Sequence, residues 1–452
     1  MNNYRIRLGY FDTTFRETLW YPHDSHLIVT APTSSGKFRD LLAGLGGTFQ
    51  GSVVWVDSKL QAASVLARRI SRTHDVVILN PFKVLPEFIG RYPHISSNPL
   101  DTLDPTLPSF GADCDAIVDG IVTEQGQNGD SHFPMAAKDG WSGVIAALKR
   151  HGEPEDQNLA SARKLICSPG FFEFCRDVAA MTSDDFIRQK LGRFTLAKAE
   201  ENREVLGILS TMAVQSSFLG NQAIADVLRS SDFRWRSLKK RPTCVFLGLP
   251  ARYLSTCGKW FRLMVATAMN QLLYEERGIP TLLVLDEFAA LNRLPVIQTA
   301  MGLARGFGVR LMPILQDLNQ LVGIYGRDSF ETFLGNASKV FFAPQDRFTA
   351  EYISHMVGSV DSRAISKSVN DERGVRSNIS ISAGQRYYLA PQQIRELPPN
   401  EMLVIGQGLR GFIRAGRRPY WLCPELGEFD VDPYHVTETD QSERGLFGWW
   451  KR

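Results

Sequence analysis

Short runs of branched and aromatic residues alternate along this chain with longer stretches whose apolar residues recur at helical spacing. Residues 1 to 26 alternate with Ile6, Leu8 and Tyr10 on one parity, which predicts a short hairpin. Leu27-Ile-Val-Thr30 is a continuous apolar run that reads as a buried strand. Further runs at 52–57 and 75–80 predict strands on either side of a helix from Gln61 to Ile70. Pro- and Asp-rich residues 81 to 109 break the pattern. From 110 to 236 the strand signal disappears. Sets such as Trp141, Val144, Ile145 and Leu148, or Val205, Leu206, Leu209 and Met212, predict an all-helical insertion there.

The alternation resumes with strands at 243–249, 281–286 and 310–316, the last weakened by Pro313. Helices are expected at 256–276 and 293–305, and further strands at 339–343 and 401–406. Strands alternating with helices imply an α/β fold with a mostly parallel sheet. Residues 358 to 385, rich in Ser, Arg, Asn and Gly, predict a mobile loop. The expected division is 1–109 and 237–424 as two parts of one sheet domain, 110–236 as an all-α domain, and 425–452 as an acidic and aromatic tail.

Composition narrows the class. With 452 residues, 44% hydrophobic content and a net charge of +3, the chain is that of a globular protein, and any nucleic-acid site must be a local patch or a pore. Six cysteines without C-x-x-C spacing predict reduced thiols and a cytosolic setting. No apolar run approaches the ~18–20 residues that span a bilayer, so membrane contact is expected through partners, at the periphery of an inner membrane. The last residues, Leu446 to Arg452, carry Trp449 and Trp450 beside two cations, either a lipid-interface segment or an aromatic plug on the protein's own surface.

Candidate chemistry begins after the buried strand. The small-residue loop Thr33-Ser34-Ser35-Gly36-Lys37 leads into a helix, so backbone N–H groups and Lys37 can converge on phosphate oxygens. Phe38 stands where a Ser or Thr would give a hydroxyl to Mg²⁺, and its ring would crowd the phosphates if it pointed inward. Taken alone, the segment also fits an ordinary strand-turn-helix. A second strand ends in Asp286-Glu287, at the sheet edge where ligands bind in open α/β folds. Asp286 is suited to hold Mg²⁺ and Glu287 to accept a proton from water. Together the two motifs predict a nucleotide-hydrolysing P-loop domain using ATP and Mg²⁺. Gln316 ends the next strand, either orienting water or satisfying loop backbone. Arg305 either reaches phosphate across a subunit boundary or is a solvated helix end. Basic clusters at 234–241, around Trp235, and at 410–418 either track a nucleic-acid backbone or are solvated faces.

The chain resembles the coupling ATPases of type IV secretion and bacterial conjugation. Ala31-Pro-Thr-Ser-Ser-Gly-Lys37, Asp57-Ser-Lys59, Asn98-Pro-Leu-Asp101, Leu285-Asp-Glu-Phe-Ala-Ala-Leu291, Gly308-Val-Arg310, Ile314-Leu-Gln-Asp-Leu-Asn-Gln-Leu321, Tyr325-Gly326 and Phe342-Ala-Pro-Gln-Asp346 occur in family order. The resemblance implies a RecA-like P-loop NTPase domain with an inserted all-α domain, a homo-hexameric ring, and delivery of single-stranded DNA, a relaxase–DNA complex or effector protein to secretion-channel proteins. It implies Lys37 on phosphate, Asp286 and Glu287 as the Walker B pair, Gln316 as sensor and Arg305 as the arginine acting in trans. Leu60 and Gln61 stand where members often have Gly-Glu, and the usual N-terminal transmembrane pair is not seen. A non-hydrolysing docking platform on the same fold, and a double-strand DNA pump, are the alternatives.

Overall fold

The computed structural model describes residues 4–123, 131–274, 278–369, 377–406, 409 and 411–435, with backbone alone within 362–384. In chain order the strands are β1 (Ile6–Tyr10), β2 (Thr18–Tyr21), β3 (His26–Thr30), β4 (Ser52–Val56), β5 (Asp75–Leu79), β6 (Thr243–Leu247), β7 (Thr281–Leu285), β8 (Val309–Leu315), β9 (Ala337–Phe341), β10 (Ser359–Val369), β11 (Ser377–Tyr387), β12 (Glu401–Ile405) and β13 (Ile413–Gly416). Among the described residues eleven of these form one sheet in the order β2-β1-β13-β12-β9-β3-β8-β7-β4-β6-β5. From β9 to β5 all neighbours are parallel. The β2-β1-β13-β12 edge is antiparallel and joins β9.

Parity along the parallel strands sorts the core into two faces. Val54, Val56, Leu283, Leu285 and Leu311 pack with the helices on one side, Trp141, Trp260 and Phe288 among them. Val53, Trp55, Leu282, Val284 and Met312 pack on the other, with Leu41, Leu42 and the helix Gln61–Ile70. No strand occurs among the described residues between β5 and β6. The chain there forms helices such as His132–His151 and Arg203–Gln215, which share the first core. Buried Arg262 ties that layer to the sheet edge, donating to the Asp119 carbonyl at 2.9 Å and the Leu291 carbonyl at 2.9 Å.

Three expectations change. The loop expected at 358–385 is instead a β10–β11 antiparallel ribbon registered from Ser359↔Tyr387 to Val369↔Ser377. Its sequence alternates Ile379, Ile381 and Ala383 with Ser380 and Ser382, a period-2 pattern that the polar composition hides. Pro313 lies within a central strand: β7 pairs with β8 as far as Leu285↔Pro313, and β3 pairs with it from Ile314 onward. Trp235 does not present a stacking face. It is buried, with Nε1 donating to Ser97 Oγ at 3.1 Å.

Among the described residues no helix is long and apolar enough to cross a membrane. The six cysteines are unbridged, and only Cys167 is exposed. Trp449 and Trp450 lie outside the described residues.

Candidate functional site

β3, β7 and β8 end side by side, and their carboxyl-end loops enclose a cleft of about 530 Å³. Thr33, Ser34, Ser35, Gly36, Lys37 and Phe38 line it from the first loop, Asp286 and Glu287 from the second, Gln316 from the third. Ser34 and Gly36 have φ of 62° and 84°. Successive turns of this hand point backbone N–H groups to one side, the shape that cradles anions. A Cβ on Gly36 would lie 2.9 Å from the Arg39 guanidinium and the Asp40 carboxylate, so glycine there answers both backbone and space. Ser35 Oγ is buried with no protein partner among the described residues, a hydroxyl left for a ligand oxygen.

Lys37 Nζ lies 2.7 Å from Asp286 Oδ1. Ser58 Oγ donates to Glu287 Oε1 at 3.1 Å, fixing that carboxyl against the Asp286 side. Asp57, buried behind them, accepts from the backbone N–H of Lys59 at 3.1 Å and of Ala62 at 2.6 Å, and so caps the helix Gln61–Ile70. Burial, then the charge of Asp286, raise the Asp57 carboxyl to about 7 and lift that of Glu287 above the usual carboxylate range. Asp286 and Glu287 therefore lie beside Lys37 with Lys59 on the same cleft wall, and Asp57 behind them holds its proton more tightly than an ordinary aspartate. Among the described residues no cluster of three acidic, His or Cys side chains could hold a metal alone. One carboxylate completed by phosphate and water is the arrangement Mg²⁺ prefers.

Phe38 does not crowd the cleft. Its side chain is buried in the second core, edge-on to Tyr420 with ring centroids 6.3 Å apart. The chain opens into a wide turn at Phe38–Leu42 before the helix Ala43–Gly46. Arg417, in the cluster at 410–418, holds this turn and is buried. It donates to the Ser35 carbonyl and to Asp40 Oδ2 at 3.1 Å, and lies 4.2 Å over the Phe342 ring. Arg305 is not at the cleft. It is exposed before β8, a strand of seven residues and about 23 Å at whose far end Gln316 stands.

The other motifs prove structural. Asn98 caps the turn Pro99–Thr102 and donates to the Gln157 carbonyl at 2.8 Å. Arg310 pins the N-terminal segment through the Tyr4 carbonyl at 2.6 Å. Gly326 breaks the helix Leu318–Gly335 at φ 79°, and Tyr325 stacks on Phe288, the residue after Glu287, at 6.0 Å.

Residues 2–437 match the family described as "Type IV secretory system Conjugative DNA transfer". The chain belongs to this conjugative DNA-transfer family. It is 27% identical over 408 residues to protein VirD4 of Agrobacterium fabrum (strain C58 / ATCC 33970), covering 85% of the chain and 57% of VirD4. With the conjugal transfer protein TraG of Escherichia coli it shares 25% identity over 406 residues, 82% of the chain and 62% of TraG. The chain thus spans less than two thirds of the length of these curated relatives. In solved structures, the unbound bacterial conjugative coupling protein TrwBdeltaN70 superposes with a TM-score of 0.66 at 18% identity, covering 91% of this chain and 88% of that one. VirB4 of Thermoanaerobacter pseudethanolicus gives 0.53 at 15% identity, over 92% and 97%. The fold is the RecA-like P-loop NTPase fold of the TrwB coupling-protein structures.

Sequence reasoning on this family member gave no role to several groups at or beside the cleft, Ser58, Trp421, Tyr434 and His435 among them. Ser58 lay inside a motif to which no role was given, and only the pairing of β4 with β7 brings it to Glu287. Trp421, Tyr434 and His435 also line the cleft. They lie 384 to 398 residues beyond Lys37 in the chain, where no local spacing signals them.

Proposed function

We propose that this chain is a coupling ATPase. It binds and hydrolyses ATP with Mg²⁺ to deliver single-stranded DNA, a nucleoprotein or an effector protein to a type IV secretion channel. The observation that carries this reading is the convergence of Lys37, Asp286 and Ser58-braced Glu287 on the loop Thr33–Lys37 in one cleft. In the same fold, TrwB is known in complex with ADP and Mg2+ and with an ATP analogue.

In this reading the loop N–H groups and Lys37 bind the phosphates, and Asp286 with phosphate and water would hold Mg²⁺. The metal would supply charge neutralisation on the transferring phosphoryl group. Glu287, its proton affinity raised by burial, accepts the proton of the attacking water, and Gln316 orients that water. With Phe38 facing the core, the missing hydroxyl leaves a place that water fills. The working form is a homo-hexameric ring at the cytoplasmic side of the inner membrane, held by channel proteins, with 110–236 as an inserted all-α domain and Arg305 serving a neighbour's site.

The test is ATP turnover with and without single-stranded DNA. Lys37→Ala lowers nucleotide affinity, whereas Glu287→Gln keeps affinity and loses about 10²-fold or more in turnover. Wild-type turnover no higher than that of Lys37→Ala in assembled rings rejects the motor and leaves the docking platform.

A further inference from the structure

The cleft extends past the phosphate loop to a wall built from the segment after β13. Trp421, Tyr434 and His435 line it there. The loop Thr33–Lys37 and the two carboxylates define the phosphate end, so whatever the phosphates carry must lie along the remainder of the cleft. Trp421 is locked in register with that loop. Its neighbour Tyr420 meets it edge-on at 5.0 Å and also contacts Phe38, the residue after Lys37, at 6.3 Å.

This wall is held by specific bonds. Asp432, buried, accepts from Gln61 Nε2 at 2.8 Å and from the Tyr434 N–H at 2.9 Å. The Tyr434 hydroxyl donates to the Lys59 carbonyl at 3.0 Å. The Gln61 amide, at the start of the helix Gln61–Ile70, thereby anchors the wall to the main sheet domain's second core. What the wall presents is an aromatic pair: the Trp421 and His435 rings are stacked, 4.6 Å apart at 20°, and Trp421 remains 40% exposed. A flat pair of rings lining the same polar cleft as the anion-binding groups matches an amphipathic ligand with a planar head and an anionic tail.

We propose that the Trp421–His435 stack is the platform for the nucleoside base. The inference rests on the reading of the cleft as a nucleoside triphosphate site and adds which residues hold the other half of the ligand. Stacking uses the π-face that every base has, so the platform serves adenine and guanine alike.

Calorimetric titration of the full chain with ATP, GTP and inorganic tripolyphosphate, each with Mg²⁺, tests it. Trp421→Ala is expected to weaken ATP and GTP about tenfold or more while tripolyphosphate stays within about twofold, and Trp421→Phe to restore most of the loss. Trp421 is partly exposed and Tyr420 makes the contact to Phe38, so the variant keeps its core; its melting curve checks this. Unchanged ATP affinity in Trp421→Ala, or equal loss for tripolyphosphate, overturns the platform while leaving the phosphate site intact. Wild type binding tripolyphosphate as tightly as ATP does the same. A wild-type chain that binds neither overturns the nucleotide reading and the platform with it.

Discussion

Asp57 and Glu287 bind protons more tightly in the folded chain than in the unfolded one, because burial and the Asp286 charge both oppose their ionisation. The folded state therefore holds extra protons between pH 4 and 7, the interval from the ordinary Asp value to the raised value of Asp57. Where the native state binds more protons than the unfolded one, stability falls as pH rises. Without metal and nucleotide, the chain is expected to lose on the order of a few kcal/mol over that interval, and Asp57→Asn to flatten the dependence. Melting temperatures across the range check this. Stability rising over the interval would mean that the carboxylates are held ionised. Phe38 makes a related point about position: its ring would crowd the phosphates if it pointed inward, but its side chain is buried in the core.

Arg417 joins three elements: it sits beside β13, bonds the phosphate loop at Ser35 and the following turn at Asp40, and lies over Phe342 after β9. Asp40 is also buried but keeps Arg39, whose Nε lies 2.6 Å away. Arg417→Ala is therefore expected to destabilise by about 2–3 kcal/mol, at or just below the lower bound of the ~3–5 kcal/mol for a broken buried pair. Denaturant midpoints measure it. Arg417→Lys recovers only part, since an ammonium cannot reach both acceptors while lying flat on the ring. The ribbon β10–β11 carries the opposite lesson for sequence reading. Its strands pair with each other and not with the main sheet, so the ribbon is not held to the continuous apolar runs of the central strands.

At the scale of the whole molecule, the position of Arg305 bears on the proposed ring. It lies at the opposite end of β8 from Gln316, so no side-chain rotation brings it to its own cleft. Service in trans requires a ring whose subunits place one edge against the next, a head-to-tail contact. Mixing Arg305→Ala with Lys37→Ala subunits is then expected to restore part of the activity, because some interfaces pair an intact cleft with an intact arginine. Verified mixed rings with no turnover above either parent would remove Arg305 from the site. The same assay run with Arg310→Ala serves as contrast: Arg310 is buried against the Tyr4 and His23 carbonyls, so its loss acts through folding and no mixing rescues it.

The sequence by itself determined the parallel strands, the helical stretch between them and the loop-and-carboxylate pair, because each rests on a local period or a short motif. Strand, glycine turn and lysine are adjacent in the chain, and Asp286-Glu287 end a run long enough to be a buried strand. Tertiary structure decided what depends on contacts between distant residues. The N-terminal hairpin and β12–β13 extend the sheet as an antiparallel edge. Ser58 reaches Glu287 only because β4 and β7 are neighbours. Basic residues at 234–241 and 410–418 read as a surface, yet Lys239 and Arg417 are buried, since a long side chain can bury its stem and find carbonyls or a carboxylate. Residues 425–435 were expected to belong to an acidic and aromatic tail. Their acidic residues face Gln61, Arg68 and Arg91, partners that only the folded chain supplies.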